Sequence, residues 1–236
     1  MSSSTGPRPS TIFNRYSFDF DGTDDYVSLA SRTQNFTDFS VSVWFIAISG
    51  GSYRAILGNT TSTGGYLFAI VQAGSAIRFY DNAWRQISGA VTDGNWHHLV
   101  VTYDSSLNEL KSYVDNSLYT TYTPQPSALS NSHSFNQIGS RTSVGRWSGN
   151  LDELAVWDSV LDSTEVSNIY NGGVPNDLAT TNPVHWWRMG DNATWNGSNW
   201  SLLDSKPAFS RKSILLDGVD DYIDCGNGAS LQITGA

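Results

Sequence analysis

The chain has 236 residues, of which 39% are apolar and 13% aromatic, and its formal net charge is −9. A chain of this length can form one large all-β domain or two small domains. The acidic balance excludes nucleic acid as an expected partner, because phosphates are bound by Lys and Arg, and it argues equally against an anionic membrane surface. No apolar run is as long as a transmembrane helix, and Cys225 is the single cysteine, so no intrachain disulfide can form.

Short segments of alternating apolar residues recur from residue 13 onward, after a tail over 1–12 that we expect to be flexible. Gly, Asn, Asp and Ser separate these segments, a spacing typical of an antiparallel sandwich or jelly roll and not of βαβ units. The fold class expected is therefore all-β. The predicted strands cover 16–20, 39–48, 53–57, 65–71, 76–80, 96–103, 109–114, 117–122, 135–138 and 151–157.

One segment predicts a short helix near residues 162–171, packed on an edge of the sandwich. Asp162 is a plausible N-cap, and Glu165 stands three residues later, as a capping box requires. Val166, Ile169 and Tyr170 fall on one face, and the glycines after Asn171 end the element.

A sequence motif occurs twice in the chain, at 20–27 and again at 216–223. Each copy has an Asp-Gly turn followed by an acidic pair, an aromatic residue and a strand. Repeats of this kind mark a unit that is used more than once. We therefore expect one complete domain over 13–173, a partly ordered connecting segment over 174–212, and the first strand of a truncated second copy over 213–236. The alternative is that 213–236 form a closing strand of the same domain.

Five short sequence motifs follow one another in a characteristic order, at 18–27, 39–44, 94–103, 149–157 and 163–171. Together they resemble the concanavalin A-like lectin/glucanase superfamily in its laminin-G-like branch. The resemblance implies a two-sheet jelly roll with one curved face often used for glycans. Later phrases at 183–191 and 216–218 resemble tandem modules of marine phage and bacterial surface proteins, which implies an extracellular, virion or cell-surface location. Residues 1–9 lack the apolar core of a signal peptide.

Catalysis is not expected from the carboxylates of this sequence. A retaining glycosidase needs two carboxylates about 5 Å apart. The glucanases of this fold carry them alternately on one strand, whereas here only Asp152 and Glu153 come near such a pattern, and they are adjacent. Adjacent residues of a strand point to opposite faces and cannot flank one bond.

An ion site is the next hypothesis. The turn with Asp21, Asp24 and Asp25 offers three carboxylates, which suit Ca²⁺. By the resemblance, Asp152 is the ligand on the last long strand, and Asp21 or Asp24 the ligand from the turn. The alternative is that these residues are ordinary turn formers that bond backbone N–H groups. His97 and His98 are adjacent and are not expected to chelate a metal together.

The candidate glycan site is the stretch 78–85. Tyr80 and Trp84 would be the platforms for sugar rings, and Arg78, Asn82 and Arg85 the hydrogen-bond donors. Neighbouring residues of a strand face opposite ways, so at least one of Phe79 and Tyr80 belongs to the core. Loops with Tyr53, Arg54, Arg141, Arg146 and Trp147 would form the rim.

The function expected is a calcium-assisted, non-catalytic carbohydrate-binding or adhesion module of a larger surface or virion protein. Its partners would be a glycan or polysaccharide and neighbouring copies or other proteins in an array, since arrays gain avidity from weak sites. The competing hypothesis is a structural decoration domain without a sugar site. A polysaccharide-degrading enzyme of the same fold is a third. A curved face with two or more exposed aromatic residues would favour the carbohydrate-binding module. Two facing carboxylates in a groove would favour the enzyme.

Overall fold

The computed structural model describes residues 2–4, 16–34, 37–50, 52–58, 69–81, 83–123, 133–141, 145–191, 193–195 and 200–205. The predicted second copy over 213–236, most of the predicted tail and Asn82 lie outside these residues. No helix within the described ranges is long and apolar enough to cross a membrane.

Antiparallel strands dominate the described residues, which also include one α-helix and two 3-10 turns. In chain order the elements are β1 (Ser2–Ser4), β2 (Ser17–Asp21), β3 (Val27–Gln34), β4 (Phe39–Phe45), β5 (Ser52–Gly58), β6 (Ala69–Ala73), β7 (Ala76–Asp81), β8 (Ala83–Gln86), β9 (His97–Asp104), β10 (Glu109–Val114), β11 (Ser117–Tyr122), β12 (His133–Ile138), β13 (Ser148–Trp157), α1 (Ser163–Tyr170), 3-10 turns at Asn171–Gly173 and Leu178–Thr181, β14 (His185–Trp187), β15 (Ala193–Trp195) and β16 (Trp200–Leu202).

Two sheets form the sandwich. The first has the order β1-β2-β13-β4-β9-β10-β11, with β14 also paired to β13, and the second has the order β3-β12-β5-β6-β7-β8. A separate hairpin joins β15 and β16. The expected all-β jelly-roll sandwich with one short helix is confirmed. β1 pairs with β2, so residues 2–4 of the predicted tail lie on the first sheet.

The main core lies between the sheets and follows the period-two pattern of the sequence. On β4, Phe39, Val41, Val43 and Phe45 all belong to this core. The residues between them are buried as well, so both faces of β4 are covered. The alternation on β4 thus identifies the face that enters the main core, and it does not show that the other face is covered as well.

The outer face of the first sheet is covered by α1 and the turn at Leu178–Thr181. The predicted capping box is present, because Asp162 accepts from the backbone N–H of Glu165 while the Glu165 side chain accepts from that of Asp162. Val166 and Ile169 are buried against Trp157 and its neighbours. Burying each of these side chains contributes about 1.5–3 kcal/mol, which holds the short helix in place.

The stretch predicted to connect two copies packs on the sandwich over its described residues. β14 pairs antiparallel with β13 from His185 to Trp187. Trp187 and Met189 join the main core, and Trp186 joins the cluster under the helix. His185 Nδ1 also lies 2.7 Å from the carboxylate of Asp204. Residues 174–191 thus complete the sheet and its cover rather than lead away from them.

Candidate functional site

Tyr80 and Trp84 form a cross-strand aromatic pair on the outer face of the six-stranded sheet. Phe79 points into the main core, whereas Tyr80 packs against a separate small cluster. Tyr80 of β7 is opposite Trp84 of β8, and their ring centroids are 4.7 Å apart. The prediction that Phe79 and Tyr80 face opposite ways is confirmed. The small cluster beneath Tyr80 consists of Ala55, Ala69 and Val71.

Tyr53 adds a third ring to this pair. Its ring centroid is 5.3 Å from that of Trp84, and its backbone has the left-handed φ of 61°. The register of β5 and β6 shifts between Ser52 and Arg54, so Tyr53 occupies a bulge. Tyr53 and Trp84 are 36% and 37% exposed. We call Tyr53, Tyr80 and Trp84 the aromatic platform; exposed rings of this kind can stack on the C–H faces of sugars.

Arg141 and Gly145 hold Tyr53 in place. The Arg141 guanidinium carbon lies 5.1 Å from the Tyr53 ring centroid, and its Nε donates to the Tyr53 carbonyl at 3.2 Å. The backbone N–H of Ala55 donates to the Gly145 carbonyl at 2.8 Å. A Cβ at residue 145 would lie 2.4 Å from the Tyr53 oxygen, so this approach requires glycine.

The predicted hydrogen-bond donors Arg78 and Arg85 lie on different faces of the sheet in the structure. Arg78 lies two residues before Tyr80 on β7 and therefore shares its face. Arg85 does not: it is opposite Phe79, is 2% exposed, and donates from Nη1 to the Ala83 carbonyl. The alternation of β8 turns Arg85 away from the face that carries Trp84, so the structure does not place it at the platform.

The acidic turn, which we define as Asp21, Asp24 and Asp25, brings its carboxylates together. One oxygen from each lies within 4.8 Å of the others. The Thr23 N–H donates to Asp21 at 2.7 Å, and the Asp21 N–H donates to Asp25 at 3.3 Å. Like charges this close repel one another, and a hard cation would offset the repulsion. A set of carboxylate oxygens suits Ca²⁺, so the residues fit the expected ion.

Asp152 is not part of the acidic turn. β2 and β13 are neighbours, as the sequence predicts, but Asp21 is opposite Ser148. Asp152 comes four residues later, roughly 13 Å further along the strand. It is buried and accepts the Glu153 N–H at 2.8 Å. The register therefore separates this predicted ligand from Asp21 and Asp24.

The acidic turn and the platform approach each other through the segment that contains Arg146. The Arg146 guanidinium carbon lies 4.3 Å from the ring centroid of Tyr26, the residue that follows the acidic turn. Gly145, the residue before Arg146, packs closely against the Tyr53 carbonyl. Two predicted rim residues are elsewhere. Trp147 is buried in the main core, and Arg54 reaches back to the carbonyls of the 48–50 loop.

The Asp152–Glu153 pair is buried and does not line a groove. Trp186 Nε1 donates to Glu153 at 2.5 Å, and Arg188 Nε donates to its other oxygen at 3.2 Å. Burial, and then the nearby Asp152 charge, raise the pKa of Glu153 above its usual range. The register shift between Asp152 and Ala155, with Glu153 at φ 47°, breaks the simple alternation of the strand. Asp152 and Glu153 are 0% and 2% exposed, so their carboxylates do not lie on the surface of the structure.

The two neighbouring histidines lie in different surroundings, as predicted. His97 lies between two carboxylates, with Nδ1 2.8 Å from Asp115 and Nε2 3.1 Å from Asp93. Its hydrogen bond with Asp115 is the main cause that raises the pKa of His97. His98 is buried beside Ser42, and burial lowers its pKa to about 3. No sequence pattern indicates the His97 cluster, because Asp93 and Asp115 come from separate turns.

A laminin-G family model, described as the concanavalin A-like lectin/glucanases superfamily, matches residues 21–167, more than half of the chain. The chain belongs to this superfamily. No curated protein matches it.

Three solved structures illustrate how widely the fold is shared. A candidate carbohydrate binding protein from Bacteroides ovatus has 12% identity and a TM-score of 0.59, with 80% of this chain and 59% of that chain covered. A pentraxin from Limulus polyphemus has 17% identity and a TM-score of 0.50, covering 79% and 90%. Domain 4 of an extracellular arabinanase from Geobacillus stearothermophilus, solved with arabinotriose, has 15% identity and a TM-score of 0.50, covering 71% and 80%. The chain thus spans about three fifths of the Bacteroides protein. At these identities the likeness concerns the fold.

Proposed function

We propose that the chain is a non-catalytic carbohydrate-binding module of a larger surface or virion protein, and that its site is the aromatic platform. The observation that carries this proposal is the mutual contact of Tyr53 and Trp84 with both rings more than one third exposed. A single exposed aromatic residue is common on protein surfaces, but exposed rings in mutual contact form a patch, and such patches indicate a binding surface. A related fold in an arabinanase domain was solved with arabinotriose, which agrees with this proposal.

The residues have distinct roles in the proposed site. The rings of Trp84 and Tyr53 stack on pyranose or furanose faces, while Tyr80 supports Trp84 from the neighbouring strand. Arg141 lies over the Tyr53 ring and Arg78 shares the sheet face of Tyr80, and in the proposed site both supply N–H donors for sugar oxygens. A small surface platform of this kind binds weakly as a single site, and an array of such sites supplies avidity.

A glycan-array screen of the purified chain tests the site. Trp84→Ala should abolish the signal on every glycan that the wild-type chain binds, because it removes the central ring of the platform. Tyr16→Ala is the matched control: it removes an aromatic residue that is 40% exposed just before β2, outside the platform. Binding that survives Trp84→Ala, or that is lost equally in the control, would show that the platform is not the site.

Calcium is the second part of the proposal, with Asp21, Asp24 and Asp25 as its ligands. An ion bound only by the folded chain stabilises it, so a chelator should lower the melting temperature. The chelator should have no effect on Asp24→Asn and its full effect on Asp158→Asn, which removes an exposed acid elsewhere. Identical wild-type melting curves with calcium and with chelator would refute the ion site.

Binding to a protein or to a neighbouring copy is the other candidate function, and the exposed strand β11 favours it. β11 ends the first sheet, and Leu118 is 55% exposed. β11 carries no Lys, Asp, Glu or Pro, which are the residues that usually protect an edge from pairing. Light scattering of the wild-type chain and of Leu118→Lys measures this. A monomer at all concentrations would count against self-association.

A further inference from the structure

A polar pocket lies on the opposite side of the sandwich from the platform. α1 and the turn at Leu178–Thr181, which cover the outer face of the first sheet, both contribute to a cavity of about 560 Å³. Small-molecule sites have volumes of about 300–1,000 Å³. Apart from a glycine and Ile169, which is itself buried, the cavity is lined by carboxylate, amide and hydroxyl side chains. A ligand rich in hydroxyl groups therefore suits it better than an apolar one.

The walls of this cavity, which we call the helix pocket, are fixed by hydrogen bonds to the backbone. Asn176 Nδ2 donates to the Asn168 carbonyl at 3.0 Å and ties the segment after the helix to the helix itself. Asp177 accepts a backbone N–H of the 3-10 turn through Oδ1 at 2.9 Å, and Glu165 accepts the N–H of the helix N-cap through Oε2 at 2.8 Å. Each carboxylate is thus held by one oxygen, and its other oxygen makes no hydrogen bond within the described part of the chain.

The helix pocket carries negative charge without a compensating cation. Glu165 and Asp177 both line it, and neither forms an ion pair with a described residue. Its described lining contains no Lys, Arg or His, and the last turn of α1 has no basic residue. The C-terminal carbonyls of the helix add a partial negative charge. A cationic group in the pocket would therefore be stabilised.

An ammonium group fits these side chains better than a metal ion does. Among the described residues, the acidic turn is the group that brings three possible metal ligands within 4.8 Å of one another, and the helix pocket is not. Ca²⁺ takes about six to eight oxygen ligands. An ammonium group has three N–H donors, which two carboxylate oxygens and one amide oxygen can accept.

From this chemistry we infer that the helix pocket is a second carbohydrate site and that it takes an amino sugar, a sugar unit with a protonated primary amine. The remaining oxygens of Glu165 and Asp177 accept from the ammonium group. The side chains of Asn168, Asn171 and Thr180 make no hydrogen bond to another described residue, so they are available to the sugar hydroxyls. Hydrogen bonds between charged partners are about twice as strong as neutral ones, so the amine sets the selectivity.

Isothermal titration with three trisaccharides tests the role of the amine. The probes are the β-1,4-linked trimer of glucosamine, its fully N-acetylated form and cellotriose, which share one backbone and differ in the group at C2. The titrations are made at about pH 6, where amines are protonated, and with calcium held constant. They use both the wild-type chain and Trp84→Ala, which removes the platform as a competing site. In both chains the glucosamine trimer should bind about tenfold more tightly than either neutral trimer.

Two conservative variants assign this preference to the helix pocket. Asp177→Asn and Glu165→Gln each remove one negative charge and keep the structural role, because Asn begins a helical turn as Asp does and Gln serves in a capping box as Glu does. Each should weaken binding of the glucosamine trimer about fivefold or more and change the neutral trimers less than about twofold. Asp158→Asn is the matched control, since it removes an exposed acid that does not line the pocket, and it should retain the wild-type affinity. Melting curves show that each variant is folded, and either pocket variant suffices if the other does not fold.

The outcomes separate this inference from the proposed function. Equal affinities for the three trimers, or glucosamine binding that survives in both Asp177→Asn and Glu165→Gln, would overturn the helix pocket as an amino-sugar site. Binding that disappears in Trp84→Ala would assign the amino sugar to the platform and would also overturn the inference. So would displacement of the trimer by calcium, because the pocket would then hold a metal ion. The platform is judged separately, by the glycan array.

Discussion

Gly145→Ala should destabilise the chain by about 2–5 kcal/mol and displace Tyr53. The left-handed φ of 74° at this position costs an alanine about 1–2 kcal/mol. The new Cβ would also lie 2.4 Å from the Tyr53 carbonyl oxygen, which Arg141 holds. Overpacking of this kind costs about 1–3 kcal/mol, because the backbone has to move.

Urea denaturation followed by tryptophan fluorescence measures the loss, and Gly74→Ala isolates its cause. Gly74 has a similar φ of 68°, but a Cβ there would meet no atom within 4 Å. The control should therefore lose only the 1–2 kcal/mol of backbone strain. Equal losses in Gly145→Ala and Gly74→Ala would refute the tight contact between the 145 segment and Tyr53. A binding assay adds a second readout, since only Gly145→Ala should weaken glycan binding.

Three further predictions concern pH and helix capping. His97→Gln should reduce the dependence of the folding stability on pH. The hydrogen bond with Asp115 raises the pKa of His97 in the folded state above the ordinary 6.5. The protonated imidazole therefore stabilises the fold fully below pH 6.5, and this contribution is lost as the pH rises through the folded-state pKa. Melting temperatures from pH 5 to 9 would show it, and parallel profiles would contradict it. Glu153→Gln should gain stability relative to wild type as the pH rises above the ordinary glutamate pKa, because burial raises the pKa of Glu153 and its ionisation then opposes folding; denaturation at low and high pH tests the sign. Asp162→Ala should cost about 1 kcal/mol by removing the acceptor of two helix N–H groups, and a loss no larger than that of Asp158→Ala would argue against the cap.

The fold could be predicted where the pattern is local. Alternation on β4 and the capping box at Asp162 depend on residues within one turn or strand, and both appear in the structure. The docking of β14 on β13 depends instead on a long-range pairing of Trp186 with Ala155. A strand at 184–189 could be expected from the sequence, but a short tryptophan-rich segment shows no periodicity that indicates its pairing with β13.

The site could be predicted only as far as strand alternation holds. The alternation that places Phe79 in the core and Tyr80 outside also turns Arg85 to the other face of the sheet from Trp84. Arg85 could therefore have been excluded from the candidate glycan site on the sequence alone. Tyr53 differs, because its outward position depends on a register shift and a positive φ. Neither is encoded in the residue types nearby, since an aromatic residue rarely adopts that backbone conformation.

The acidic turn shows that the pairing of two strands does not by itself bring together the residues predicted to bind one ion. β2 and β13 pair as expected, yet the register sets Ser148, and not Asp152, opposite Asp21. A Cβ added at Gly22 would lie 3.0 Å from the Ser148 Cβ, so the strand reaches the turn through a small side chain rather than a carboxylate. Under the proposed function, an ion would therefore be held by carboxylates of the turn itself.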